Sequence, residues 1–485
     1  MLKATTNTVL HYAIFALLFL TLLNCKESLE QGENRAMLGT SSIKRDLHDI
    51  KKEGKLKALT VYSGTSYFLY KGQPMGYEFE LLQRFADYLE VELEIIVVKD
   101  MDELISKLNA GEGDLLAHGL TITSNIKESV AFTDYLYLTK QVLVQKKPDN
   151  WRSINWLQLK NSLIHDPMDL LNDTVSIRKE SSYKERILNL SEELGGNIYI
   201  EELPGNLQTE EIIKKVANGE IKYTIADKNI ASITASYYPI IDIRVPVSFS
   251  QRVSWATRHN SPELLEATNL WLKDFKKEID YNVIYNKYFK NRRDFKRRVK
   301  SDFYSLNKQE ISPYDDLIQK HSEKINWDWR LVASLIYQES RFDPNNSSWA
   351  NARGLMQIMP KTALELGVTD PANPQQSIRG GTTYLNQIWK KFENIKDSIQ
   401  RTKFTMASYN CGLYHVKDAQ KLAQKRGLNA QTWDDSIEDV VLGLSLPKNY
   451  KDPVVKYGYV RGIEPYNYVN QIFNRYEHYT QFISK

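Results

Sequence analysis

Residues 337–360 read YQESRFDPNNSSWANARGLMQIMP, and the chain changes character around this stretch. Just upstream, a helical pattern starts near Asp328, with Leu331, Val332, Leu335 and Ile336 on one face at i, i+3, i+4 spacing and Glu339 one turn further along it. A carboxyl group aimed at the core side of a helix is desolvated, which favours the neutral acid and suits proton donation near neutral pH. The position alone also allows a Glu at a frayed helix end, turned to solvent. Asp343, directly before Pro344, reads as a turn residue, and no carboxylate follows between Pro344 and Pro360. Most enzymes that cleave glycosidic bonds use two carboxyl groups, so a lone acid here implies a different chemistry.

Working outward, the sequence after Pro313 carries helical periodicity without strands: PYDDLIQKHSEKI, WDWRLVASLIYQESRF, GGTTYLNQIWKKFEN, RTKFTMASYNCG, YHVKDAQKLAQKRG and PYNYVNQIFNRYEHYTQF. Between about residues 55 and 290 short β-branched runs alternate with helical stretches, as in ALTVYSG, YEFELLQRFADYLE and VELEIIVVKD. Two such α/β runs in tandem, closed by a late return through IIDIRVPVSF, predict two lobes. The 485 residues are too many for one ordinary domain, and 42% hydrophobic with 26% charged is the composition of a folded protein. A net charge of +4 is small for this length and argues against nucleic acid as a partner. Residues 285–316 are locally dense in Lys and Arg, which reads as a solvated helix end and linker, or alternatively as a surface for an acidic polymer or phospholipid.

Residues 13–23, AIFALLFLTLL, are too short to span a bilayer but fit the core of a secretory signal. Cys25 directly follows Asn24, and this arrangement resembles a bacterial lipoprotein signal in which Cys25 becomes the acylated first residue. Asn24 stands where such signals carry a small residue, so a plain cleaved signal is the alternative. The other cysteine, Cys411, reads as a small packing residue. The eight histidines are scattered, with no His-Glu-x-x-His, Walker loop or nucleophile elbow, so no metal or other cofactor is expected.

Four N-terminal segments, SYFLYKGQPMGYEFELLQRFADYL, GEGDLLAHGLTIT, SVAFTDYLYLTKQVLV and TIADKNIA, together resemble the family 3 bacterial extracellular solute-binding proteins. The resemblance implies a two-lobed clamp that closes on a ligand. It assigns Asp227 to the ligand's amino group and makes Ser181 and Ser182 a hydroxyl pair in the cleft. It also exposes a departure. Three residues after Thr123 the family carries an arginine that forks onto the ligand carboxylate, and here that position is Ile126. Lys127 beside it offers only a point charge. A different ligand, such as a peptide fragment, or a scaffold with a degenerate cleft follows from this reading.

In the C-terminal region QES with FDP, GLMQIMP, ASYNCG and PYNYV, in that order, resemble the soluble lytic transglycosylase family, which has a lysozyme-like fold and cleaves the MurNAc–GlcNAc linkage of peptidoglycan. The resemblance implies that the sugar's own C6 hydroxyl attacks C1 and leaves a 1,6-anhydro end, so one carboxyl group suffices. Glu339 would be acid and then base. Ser340, Met356, Gln357, Tyr409, Asn410 and Tyr468 match positions that frame the substrate. A signal, solute-binding lobes and this domain in succession are the plan of membrane-bound lytic transglycosylases.

The expected organisation is a lipoprotein signal (1–24), a tether (25–54), a two-lobed α/β periplasmic-binding-protein-like domain (55–290), a basic linker (291–312) and an all-α lysozyme-like catalytic domain (313–485). The expected partners are peptidoglycan strands, a membrane reached through the lipid anchor, and an amino-acid or muropeptide ligand of the first domain. The expected location is the bacterial envelope, as an outer-membrane lipoprotein facing the periplasm. A water-using muramidase and an inactive wall-binding or sensor lipoprotein are the competing functions.

Overall fold

The computed structural model describes residues 43–308 and 310–483, so Cys25 and the signal segment lie outside the described residues. The chain forms two compact units, one of residues up to Ser66 with Tyr77–Arg292, the other of Tyr67–Gly76 with the residues from Arg293 onward.

In the first unit, strand Lys55–Val61 lies between parallel partners Glu92–Val98 and Leu115–Thr121. Strands of this kind, buried on both faces, need continuous apolar runs, and Leu56, Ala58, Leu59 and Val61 are fully buried. Two long antiparallel strands, Tyr137–Lys146 and Pro246–Thr257, carry the same sheet on to Tyr223–Asp227. Two cores hang on this sheet: Leu59, Val98, Leu108 and Leu116 in the first lobe, and Val175, Ile177, Ile187 and Ile225 in the second. The second lobe adds the parallel pair Thr174–Arg178 and Tyr199–Leu203.

Residues 43–54, read from sequence as the end of the tether, are built into this unit. Asp46 caps helix Leu47–Glu53 with a reciprocal capping box and also accepts from the Glu263 and Leu264 amides at the start of helix Pro262–Phe275. Arg45 and the fully buried Arg258 converge on the buried Asp114 carboxylate, which also accepts from the Lys57 amide.

The second unit is helical. Asp328 caps helix Trp329–Ser340 by accepting from the Arg330 amide at 2.9 Å. Val332, Ala333, Leu335 and Ile336 are fully buried, and every side chain from Trp329 to Tyr337 is buried, which makes this the central helix rather than one with a single apolar stripe. Helix Ile463–Phe482 covers another side: Ser334 Oγ donates to Ile472 O, and Arg475 donates to Ser334 O and Gln338 Oε1. Helix Ser398–Cys411 packs on that helix in turn. The residues expected as a basic linker include helix Arg292–Val299, which buries Phe295 and Arg298. A hairpin of Phe68–Tyr70 and Gln73–Met75 belongs to this unit, turning through Lys71 and Gly72, both at positive φ. The Tyr479 hydroxyl donates to Gly72 O, and a Cβ at Gly72 would lie 2.7 Å from the Tyr337 and Phe342 rings.

Candidate active site

Glu339 sits in the last turn of the central helix. The chain then leaves through Arg341 and Phe342, both left-handed, and the buried Phe342 ring anchors the exit. The segment beyond is held tightly. Ser347 and Ile358 bridge to Arg353, and Gly354 takes φ +80° where a Cβ would meet Pro371 O at 1.8 Å. Only glycine fits there, which accounts for the G of GLMQ.

The motif residues assemble around this turn. The Tyr468 hydroxyl, brought by helix Ile463–Phe482, donates to Glu339 Oε1. Ser340 is buried and donates to Leu355 O at 2.8 Å, tying the helix end to the GLMQ segment. The Tyr409 hydroxyl donates to Met356 O at 2.7 Å, and the Glu339 charge contributes to raising the Tyr409 pKa. Gln357, at φ +45°, donates through Nε2 to Asn346 O and Gly354 O, so its amide nitrogen braces the loop instead of pointing to a ligand. The Met356 side chain, expected as an apolar wall, is fully buried against Gly381, and what it offers the site is its carbonyl. Asn410 is exposed at the end of its helix. Asp343 is exposed and accepts from the Asn345 amide at 2.9 Å, a turn geometry. Sequence reading missed Asn346, whose Nδ2 donates to Glu339 O at 3.4 Å; the residue lies in a polar loop with no periodicity to mark it.

Burial raises the Glu339 pKa to about 7, opposed by the Tyr468 hydrogen bond, and among the described residues no charged side chain contributes to the shift. Burial likewise holds the Tyr468 and Tyr409 hydroxyls well above their ordinary range, so both are neutral donors. The result is a protonatable, desolvated carboxyl group oriented by a phenol, which is the equipment of a general acid. Cys411 is largely desolvated, and its thiol is pushed up to about 12.

In the first unit Ser181, Ser182, Asp227 and Ile126 line one cavity of about 90 Å³. Ser181 Oγ donates to Arg178 O at 2.6 Å, and Asp227 is buried. Lys127 is exposed and outside the lining. The lining residues not singled out from sequence include Glu78, which accepts from Trp255 Nε1 at 2.9 Å; His118, whose Nδ1 lies 3.2 Å from Ser66 Oγ; Glu210; and Arg178. Burial moves Glu78 up to about 7 and His118 down to about 3. Arg178 stands three residues before Ser181, a proximity that could have flagged it.

Comparison with known proteins agrees with this division. Residues 59–291 match the family model for bacterial extracellular solute-binding proteins, family 3, and residues 316–431 match that for the transglycosylase SLT domain. The membrane-bound lytic murein transglycosylase F of Desulfosudis oleivorans is 33% identical over 89% of this chain and 91% of its own, and that of Aliivibrio fischeri 30% over 90% and 85%. Among solved structures, the ancestral amino acid-binding protein AncCDT-1 covers 50% of this chain and 99% of its own at 24% identity and TM-score 0.41. An amino acid ABC transporter substrate-binding protein from Streptococcus pneumoniae, bound to L-arginine, covers 50% and 97% at 22% identity and TM-score 0.42. The chain belongs to the membrane-bound lytic murein transglycosylase F family, peptidoglycan lytic transglycosylases with a family 3 solute-binding unit ahead of the catalytic one.

Proposed function

We propose that Glu339 is the single acid and base of a reaction that cleaves the β-1,4 MurNAc–GlcNAc linkage and leaves 1,6-anhydro-MurNAc ends. The protonated carboxyl group gives its proton to the glycosidic oxygen as the bond to C1 breaks. The C6 hydroxyl then bonds to C1 and returns a proton to the carboxylate. The observation that carries this reading is the electrostatic solitude of Glu339: a catalytic partner carboxylate about 5 Å away, as in retaining hydrolases, would raise its pKa as a like charge, and burial alone does so here. Tyr468 orients the acid, Ser340, Gln357 and Tyr409 brace the segment beside it, and Asn410 and Met356 keep the substrate-framing roles that the motifs imply. Mass spectrometry of digested peptidoglycan tests the proposal. Anhydro ends are expected, reducing ends would mark a water-using muramidase, and no release would mark an inactive wall-binding protein.

The first unit, in the same proposal, binds an amino-acid or muropeptide ligand between its lobes and thereby regulates or localises the enzyme. Lipid on Cys25 anchors the chain to the outer membrane, facing the periplasm. Among the described residues no helix is long and apolar enough to cross a membrane, and relatives carry the description membrane-bound. Metabolic labelling with a fatty-acid probe, lost in Cys25→Ala, tests the anchor.

A further inference from the structure

The cavity of the first unit has an unusual charge arrangement. Ile126, in place of an arginine, gives the first lobe an apolar wall with Met101, Ile105 and Leu120. Four carboxylates line the cavity, those of Glu78, Glu180, Glu210 and Asp227, and among the described residues Arg178 is the one Lys or Arg that does. Arg178 ends strand Thr174–Arg178, and Asp227 ends strand Tyr223–Asp227. Both strands belong to the second lobe and pack side by side.

Each group keeps one buried polar atom without a hydrogen-bond partner among the described residues. Asp227 is 5% exposed, and its Oδ1 has no hydrogen-bond partner. Arg178 Nε is buried without a partner, and among the described residues the guanidinium is in no ion pair. Leaving a buried guanidinium nitrogen and a buried carboxylate oxygen without partners costs about 1–3 kcal/mol each unless something bonds to them. Burial indeed pulls the Arg178 pKa below its ordinary value and pushes Asp227 up to about 7. A structural role for Arg178 would have closed an ion pair with Asp227 or Glu210, and none is formed.

We propose that Arg178 has taken over the task of the missing first-lobe arginine, so that the second lobe alone holds both charged ends of a free α-amino acid, its carboxylate on Arg178 and its ammonium on Asp227. This rests on the ligand-binding reading of the first unit and narrows it. At roughly 10–15 Å³ per water-sized group, the cavity of about 90 Å³ takes a molecule of amino-acid size. The first lobe then contributes shape, through Ile126 and its apolar neighbours, and not charge.

Calorimetric titration of the purified full chain with the proteinogenic L-α-amino acids, followed by the α-amide, the decarboxylated amine and the deaminated acid of the best binder, tests this. The amino acid is expected to bind, and all three analogues to bind at least tenfold more weakly. Arg178→Gln should weaken binding on the order of 100-fold or more, as loss of one partner of a buried charge pair does, and Lys127→Ala should leave it unchanged. Arg178→Lys, which keeps charge without the fork, should fall between. Binding by the amide equal to that of the acid, undiminished binding in Arg178→Gln, or binding of a disaccharide-peptide with no free amino acid bound would each overturn the proposal. The analogue series uses the wild-type chain, so a variant that fails to fold leaves the test intact. Peptidoglycan digestion by the same preparation reports the catalytic reading separately.

Discussion

Replacing Glu339 by Gln should abolish glycan release and, at neutral pH, make the catalytic unit more stable. The Glu339 pKa is about 7 in the folded protein against 4.5 for the free side chain. A folded pKa above the unfolded one means that stability is unaffected below about pH 4.5, falls as pH rises toward 7, and stays constant beyond, since both states are then ionised. The full loss is about 1.4 kcal/mol for each of the 2.5 pH units between the two values, or ~3 kcal/mol. Gln keeps an oxygen to accept the Tyr468 hydrogen bond and does not ionise, so the variant escapes this loss. For a unit of this size ~3 kcal/mol corresponds to roughly 6–12 °C in Tm. Melting both proteins between pH 4 and 9 should therefore show equal Tm values at the acid end and a gap that opens to pH 7 and then holds. The same variant should lose about 10²–10⁴-fold or more in muropeptide release. A Tm difference that does not change with pH would refute the desolvated-acid argument, and release within tenfold of wild type would refute the single-acid mechanism.

Tyr468→Phe removes the hydrogen bond that opposes the upward shift of Glu339, so the alkaline limb of the kcat/KM profile should move to higher pH while the maximal rate falls by about tenfold; an unmoved limb would mean that Tyr468 does not touch the working acid. Gly354→Ala forces a Cβ onto Pro371 O and should cost about 3 kcal/mol or more, read as a lower Tm or as insoluble protein. Asp114→Asn leaves Arg258 and Arg45 without their shared carboxylate and should destabilise the first unit by roughly 3–5 kcal/mol in denaturant melts, with peptidoglycan cleavage at permissive temperature as the control for the second unit.

Sequence alone was sufficient wherever the physics is local. The 3.6-residue spacing of Leu331, Val332, Leu335 and Ile336 gives the helix Trp329–Ser340 but leaves Glu339 open between an inward face and a solvent-turned helix end; burial of its carboxyl group decides for the first. Asp343 before Pro344 is a turn residue by its chemistry alone, and its carboxylate accepts from the Asn345 amide. Alternation of β-branched and helical runs gave the α/β character of the first unit and its absence gave the helical second one, because burial period is written residue by residue. What sequence could not supply is which polar groups meet. Periodicity points Met356 nowhere in particular, and only the close approach of Gly381 turns it inward. Nothing in YQES says that Tyr468, 129 positions away, will hold the acid. The absence of an arginine at position 126 suggested a different ligand, such as a peptide fragment, or a degenerate cleft; the second lobe brings Arg178 into the same cavity by a parallel strand. A charge can reach a cavity from any element that borders it, so which charges line the cleft is decided by tertiary structure and not by one sequence position.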